Sequence, residues 1–122
     1  MVIDQTSAEV REVEVPCALN IAAVHLRFHE YDSAIYECNK VLEVKGELEY
    51  SPDWVCKARF RRGQAQAGKR NFSAAVDDLN AVLKLKPEDT GVRRILAELK
   101  KEMEKYKQIE KHMYGKMFGK NV

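Results

Sequence analysis

At 122 residues the chain has room for one small hydrophobic core. Charged residues make up 33% and aromatics 8%, and Pro stands only at positions 16, 52 and 87. This is a helix-rich composition, with no signal-peptide pattern and no apolar run long enough to span a bilayer. The net charge of +2 is unevenly spread: residues 1–14 carry one Arg against four acids, and six Lys/Arg with no acid lie between Asp53 and Asp77. So local a basic patch argues against bulk attraction to nucleic acid. Cys17, Cys38 and Cys56 are an odd set without CxxC spacing. Three free thiols fit a reducing compartment, so a cytoplasmic or nuclear location is expected.

In chain order, residues 1–13 mix Ile, Val, Thr and acids without a sustained period, and a loosely held lead-in is expected there. A first helix is expected over Glu14–His29, with Pro16 in its first turn, where a missing N–H costs little. Leu19, Ala22, Ala23 and Leu26 form its inward stripe. Glu30 to Ser33 turns the chain, and Ala34–Val44 continues as a second amphipathic helix with Ile35, Cys38, Val41 and Leu42 at helical spacing. Residues 14–45 thus make one hairpin, and residues 46–53 are a connection. Residues 54–87 make a second hairpin with a tight turn at Lys69-Arg70-Asn71. Its apolar residues Phe60, Phe72, Val76, Leu79, Val82, Leu83 and Leu85 again follow a helical period. Pro87 ends that hairpin. Residues 88–122 form a long C-terminal helix, over Asp89–Phe118, and a tail. From Lys100 on this segment carries seven Lys against three Glu, too charged for full burial, so its first half is expected to pack as a solvating cap.

The two hairpins align residue by residue. Ala22 matches Gly63, His25 Gln66, Tyr31 Phe72, Ala34 Ala75, Ile35 Val76, Cys38 Leu79, Val41 Val82 and Leu42 Leu83, each pair 41 residues apart. One helical hairpin has been used twice.

A small residue, then an aromatic, an alanine and a closing proline is the pattern of the tetratricopeptide repeat, whose period is about 34 residues. Gly63, Phe72, Ala75 and Pro87 resemble its signature. Ala22, Tyr31 and Ala34 follow it more loosely, with Gly46 in the proline slot. The resemblance implies an all-α superhelix of two hairpins plus a capping helix. It also implies an insertion at Lys45–Trp54, which either lengthens the preceding helix or protrudes as a loop capped by Trp54.

Three stretches, LNIAAVHLRFHEYDSAI, KARFRRGQAQ and KHMYGKMFG, resemble the tetratricopeptide regions of large immunophilins. These are FK506-binding proteins and cyclophilins with such a C-terminal region, together with the aryl-hydrocarbon-receptor-interacting protein. The likeness spans residues 16–118. It implies a non-enzymatic cochaperone module binding the C-terminus of heat-shock protein 90, Met-Glu-Glu-Val-Asp, through a carboxylate clamp. The matching positions are Asn20, Lys57 and Arg61, with Arg27 where the family often has Lys. Physical chemistry agrees in part: Lys57 and Arg61 are four apart and share a helical face, and such cations make charge-assisted hydrogen bonds to carboxylates. The family's first hairpin, which supplies a Lys and an Asn to the clamp, has no counterpart in residues 1–14. A partial clamp, a fragment or shortened relative, and self-association through an uncovered N-terminal face are therefore expected.

Other readings compete. Lys57 and Arg61 also fit a merely solvated basic face, and the module also fits a scaffold for another partner or the regulatory tail of a peptidyl-prolyl isomerase. His25 and His29 have helical metal-ligand spacing without a third ligand, so a core role is expected for His25 and no metal or cofactor. The cysteines fall on helix stripes with no His partner, so packing is expected and no catalytic role. Trp54 and Phe60 fit either core or peptide groove. The run Arg59-Arg61-Arg62 lacks an RNA-binding aromatic motif. The position of the basic C-terminal helix, with Tyr106, Met113, Tyr114, Met117 and Phe118, implies through the resemblance to immunophilins a calmodulin target, beside the reading as a capping helix.

Overall fold

Helical periodicity in the sequence becomes five helices and no strand among the described residues of the computed structural model. The description covers residues 2–43 and 52–119, with side chains from residue 9 onward. The helices are α1 (Val2–Arg27), α2 (Tyr31–Leu42), α3 (Pro52–Gly68), α4 (Phe72–Leu85) and α5 (Thr90–Met117). α1 packs on α2 and α3, α2 on α3, α3 on α4, and α4 on α5, so the chain is a stack of antiparallel hairpins closed by a last helix.

The 41-residue correspondence holds in three dimensions. Ala34 and Ala75 are both fully buried, as are Cys38 and Leu79, while Val41 and Val82 are each 2% exposed. Tyr31 and Phe72, Ile35 and Val76, and Leu42 and Leu83 are all half-buried. The turns repeat too. His29 (φ 59°) and Arg70 (φ 67°) are left-handed. Each donates its backbone N–H three residues back, to Leu26 (3.1 Å) and Ala67 (3.0 Å). The next residue, Glu30 or Asn71, donates five residues back, to His25 (2.8 Å) and Gln66 (2.9 Å). This double bond is the Schellman closure, which satisfies the last carbonyls of a helix and reverses the chain in two or three residues.

Several boundaries differ from expectation. α1 starts at Val2, so residues before Glu14 are helical and Pro16 lies inside the helix rather than in its first turn. Ala8, Glu9, Arg11 and Glu12 are good helix formers, and the carbonyl that Pro16 leaves without a donor belongs to exposed Glu12, where water reaches it. The first turn comes early: α1 ends at Arg27 and Tyr31 already belongs to α2, because the Schellman bonds close at Glu30. Pro52, Asp53 and Trp54 begin α3, with Pro52 at the first helical position, where its missing N–H is harmless. Trp54 packs on the cluster of Val15, Ala18, Leu19, Val41 and Ala58. The rest of the expected insertion, residues 45–51, and the expected end of α2 at Val44 lie outside the described residues.

Small residues set the close approaches. A Cβ on Gly63 would stand 3.2 Å from Leu79 Cγ and 3.4 Å from Asp78 Cβ, and a Cβ on Gly68 would collide with the ring of Tyr31. Around Gly63 lies the larger core cluster, in which Cys56, Ala75, Leu79 and Val82 meet Val92, Leu96 and Leu99 of α5. Burial pushes the Cys38 thiol up to about 11, well above the range in which a thiolate forms at neutral pH.

The arginine run has a structural use. Asp78 is 3% exposed. Arg62 binds it in a fork, Nη2 to Oδ1 at 2.7 Å and Nε to Oδ2 at 2.8 Å. Arg59 adds a bond at 3.2 Å, and Arg62 Nη1 also donates to Asn39 at 3.0 Å. The Asp78 carboxylate holds the Arg62 guanidinium above its ordinary pKa. Replacing Asp78 by Ala strands two partly buried guanidiniums, and the loss of stability should be about 2–3 kcal/mol in denaturant melts. Gly63→Val should cost about 1–3 kcal/mol by forcing α3 and α4 apart, with helicity retained in the folded baseline.

Candidate functional site

A groove of about 290 Å³ opens beside the first turns of α3 and is lined by Cys56, Lys57, Phe60, Arg61, Val82, Lys86, Asp89 and Gly91. α3 supplies four of these at one-turn spacing, since residues three and four apart share a helical face. The end of α4 and the start of α5 supply the rest. The floor is apolar (Cys56, Phe60, Val82), and the cations Lys57, Arg61 and Lys86 stand around it. Its one acid, Asp89, caps α5 by accepting from the Val92 backbone N–H at 3.1 Å.

The three cations are held differently. Lys57 is exposed and has no ion-pair partner among the described residues. Arg61 is half-buried, and its Nη1 donates to the Leu19 carbonyl of α1 at 2.6 Å. Lys86 pairs with Asp53 at 3.1 Å, with both side chains largely exposed. That hydrogen bond raises the Lys86 pKa above its ordinary value. An exposed pair of this kind is weak, and Lys86 remains exchangeable to an incoming anion.

Of the residues singled out from sequence, Lys57 and Arg61 line this groove together. Asn20 and Arg27 do not line it. Asn20 is exposed on α1 and follows Leu19, the residue whose carbonyl Arg61 holds. Arg27 is exposed seven residues further along α1, two turns or about 10 Å away. Phe60 belongs to groove and core at once, since it also packs on the α4–α5 cluster, whereas Trp54, half-buried, packs on the cluster of Val15 and Leu19. Lys86 escaped the sequence reading, because its position depends on how α4 and α5 meet α3. The only local signal was a lysine directly before the helix-ending Pro87.

Other candidates resolve into structure. His25 Nδ1 lies 3.6 Å from Glu30, while His29 Nδ1 shares a hydrogen bond with the Tyr31 hydroxyl at 2.9 Å. The two imidazoles therefore face separate partners. Cys38 and Cys56 are buried and Cys17 is exposed. Among the described residues no three His, Cys, Asp or Glu are grouped to hold a metal, and no helix is long and apolar enough to cross a membrane.

No protein-family model matches the chain. It is similar to the peptidyl-prolyl cis-trans isomerase FKBP42 of Arabidopsis thaliana, with 40% identity over 106 residues, which is 87% of this chain and 27% of that protein. It is also similar to the peptidyl-prolyl cis-trans isomerase FKBP4 of Bos taurus (30% identity, 94% of this chain, 24% of that protein) and of Homo sapiens (29%, 94% and 24%). The chain spans about a quarter of the length of these curated relatives. Its relatives are thus immunophilins of the FKBP4 and FKBP42 type, matched over most of this chain and over a small part of theirs.

Proposed function

We propose that this chain is a non-enzymatic, tetratricopeptide-type module that receives an acidic peptide C-terminus of the kind that ends heat-shock protein 90. In a longer protein like its relatives, it is the interaction region carried beside a peptidyl-prolyl isomerase domain. The observation that carries the reading is the groove where Lys57, Arg61 and Lys86 stand over an apolar floor. A terminal Asp offers two carboxylates, and the exposed ammonium of Lys57 and the remaining guanidinium donors of Arg61 make charge-assisted hydrogen bonds to them. The apolar floor suits an aliphatic side chain next to those carboxylates. Asn20 and Arg27, on the exposed side of α1, extend the same path along the peptide. With so few donors, the affinity is modest.

Calorimetric titration with acetyl-Met-Glu-Glu-Val-Asp tests this. Saturable binding is expected, lost when the terminal carboxylate is replaced by an amide. Lys57→Ala should weaken it by about 1.5–3 kcal/mol, roughly ten- to a hundredfold, with the melting curve unchanged. Arg61→Ala should weaken binding and also lower stability, because the tie to Leu19 goes with it. A folded, helical protein that ignores the peptide at millimolar concentration would sink the clamp and leave a scaffold for a different partner.

A further inference from the structure

α1 is apolar on two sides. Its inward stripe, Val15, Ala18, Leu19 and Ala22, is buried against the rest of the stack. A second stripe points away from it: Val10, Val13, Cys17, Ile21, Val24 and Phe28 are all exposed, Val13 by 66% and Phe28 by 70%. Their intervals of three and four residues keep them on one face. A helix that is apolar on two faces is built to be covered twice, and an exposed apolar stripe of this length marks an interaction surface.

At the other end of the stack, α5 runs on beyond its contacts with α4. The last of those contacts is the Tyr106 ring on Phe72, 5.4 Å between centroids; beyond it Ile109, Met113 and Met117 are exposed at intervals of four, and the rings of Tyr114 and Phe118 stack beside them, 6.1 Å apart. The charges flanking the two stripes are opposite. Exposed Glu9, Glu12 and Glu14 accompany the start of the α1 stripe, whereas exposed Lys105, Lys107, Lys111 and Lys116 outnumber Glu104 and Glu110 along α5.

We propose that copies of this chain join head to tail, the outer stripe of α1 in one copy lying on the protruding half of α5 in the next. Charge complementarity selects this pairing over its rivals. An α1–α1 pair aligned start to start brings acids against acids and an α5–α5 pair brings lysines against lysines, whereas the start of α1 on the protruding half of α5 matches both the apolar seams and the charges. The contact is heterologous, so each copy keeps one free face of each kind and association continues beyond the dimer. Because it joins first helix to last, it prolongs the stack and leaves the α3 groove open.

Light scattering coupled to size exclusion, from micromolar to several hundred micromolar protein, reads the assembly directly. The mass should rise with concentration past that of a dimer and fall as salt is raised. Val24→Glu on α1 and Met113→Glu on α5 alter exposed positions, and circular dichroism checks that both stay helical; Val13→Glu and Met117→Glu are the replacement pair. Each single variant should be monomeric, while an equimolar mixture of the two should give a dimer and nothing larger, since one intact α1 face meets one intact α5 face. A wild-type mass that stays monomeric throughout overturns the proposal. So does a mixture that remains monomeric, or a Met113→Glu variant that still associates, which would mean that α1 pairs with itself.

Discussion

A carboxylate removed from water must have its charge answered by neighbours, and in this fold the demand of Asp78 organises the centre of the stack. Its two arginines both come from α3, and one of them reaches on to Asn39, so α2, α3 and α4 are tied at a single point. The equivalent residue of the first hairpin, Glu37, stays nearer the surface and pairs with Lys40 of its own helix at 3.2 Å. The repeat is therefore not symmetric in energy. The second hairpin carries a buried carboxylate tied across three helices, and the first has no buried charge at the equivalent position.

The same network divides the basic residues of α3 between two duties. Arg59 and Arg62 turn toward α4 and are satisfied there. Lys57 and Arg61, on another face of the helix, remain beside the groove. A sequence-level count of positive charge sees one basic stretch, but the helix sorts it into a structural half and a presenting half. That sorting is why an arginine run here needs no nucleic-acid partner to explain it.

What could be read from the residues alone was whatever a helical period encodes. The duplicated hairpin was legible because pairs such as Ala34 and Ala75, or Val41 and Val82, must meet the same packing demand twice. The turn at Lys69-Arg70-Asn71 was legible through the loss of apolar periodicity on both sides. The start of α1 was not: Val10 and Val13 face away from the core, so they gave no inward stripe, and Pro16 invited a helix start that the chain does not use. Asp78 was not singled out, since burial of a charge shows only once its partners are placed. For the groove, the resemblance to immunophilin tetratricopeptide regions brought out Lys57 and Arg61, with their i,i+4 spacing in agreement, while Lys86 and the apolar floor depend on three helices converging and leave no periodic trace.

The bond from Arg61 to the Leu19 carbonyl has a bearing on recognition. A guanidinium offers five N–H donors in a rigid plane. With one of them anchored on α1, the plane is oriented before any anion arrives. The rotamer freedom that an untethered arginine would lose on binding, about 0.5–1.5 kcal/mol for a side chain of this kind, is lost at folding instead. In the proposed recognition α1, which contributes no wall to the groove, thereby sets part of the binding entropy, and a change in how α1 is seated would be felt in affinity without altering any contact to the ligand.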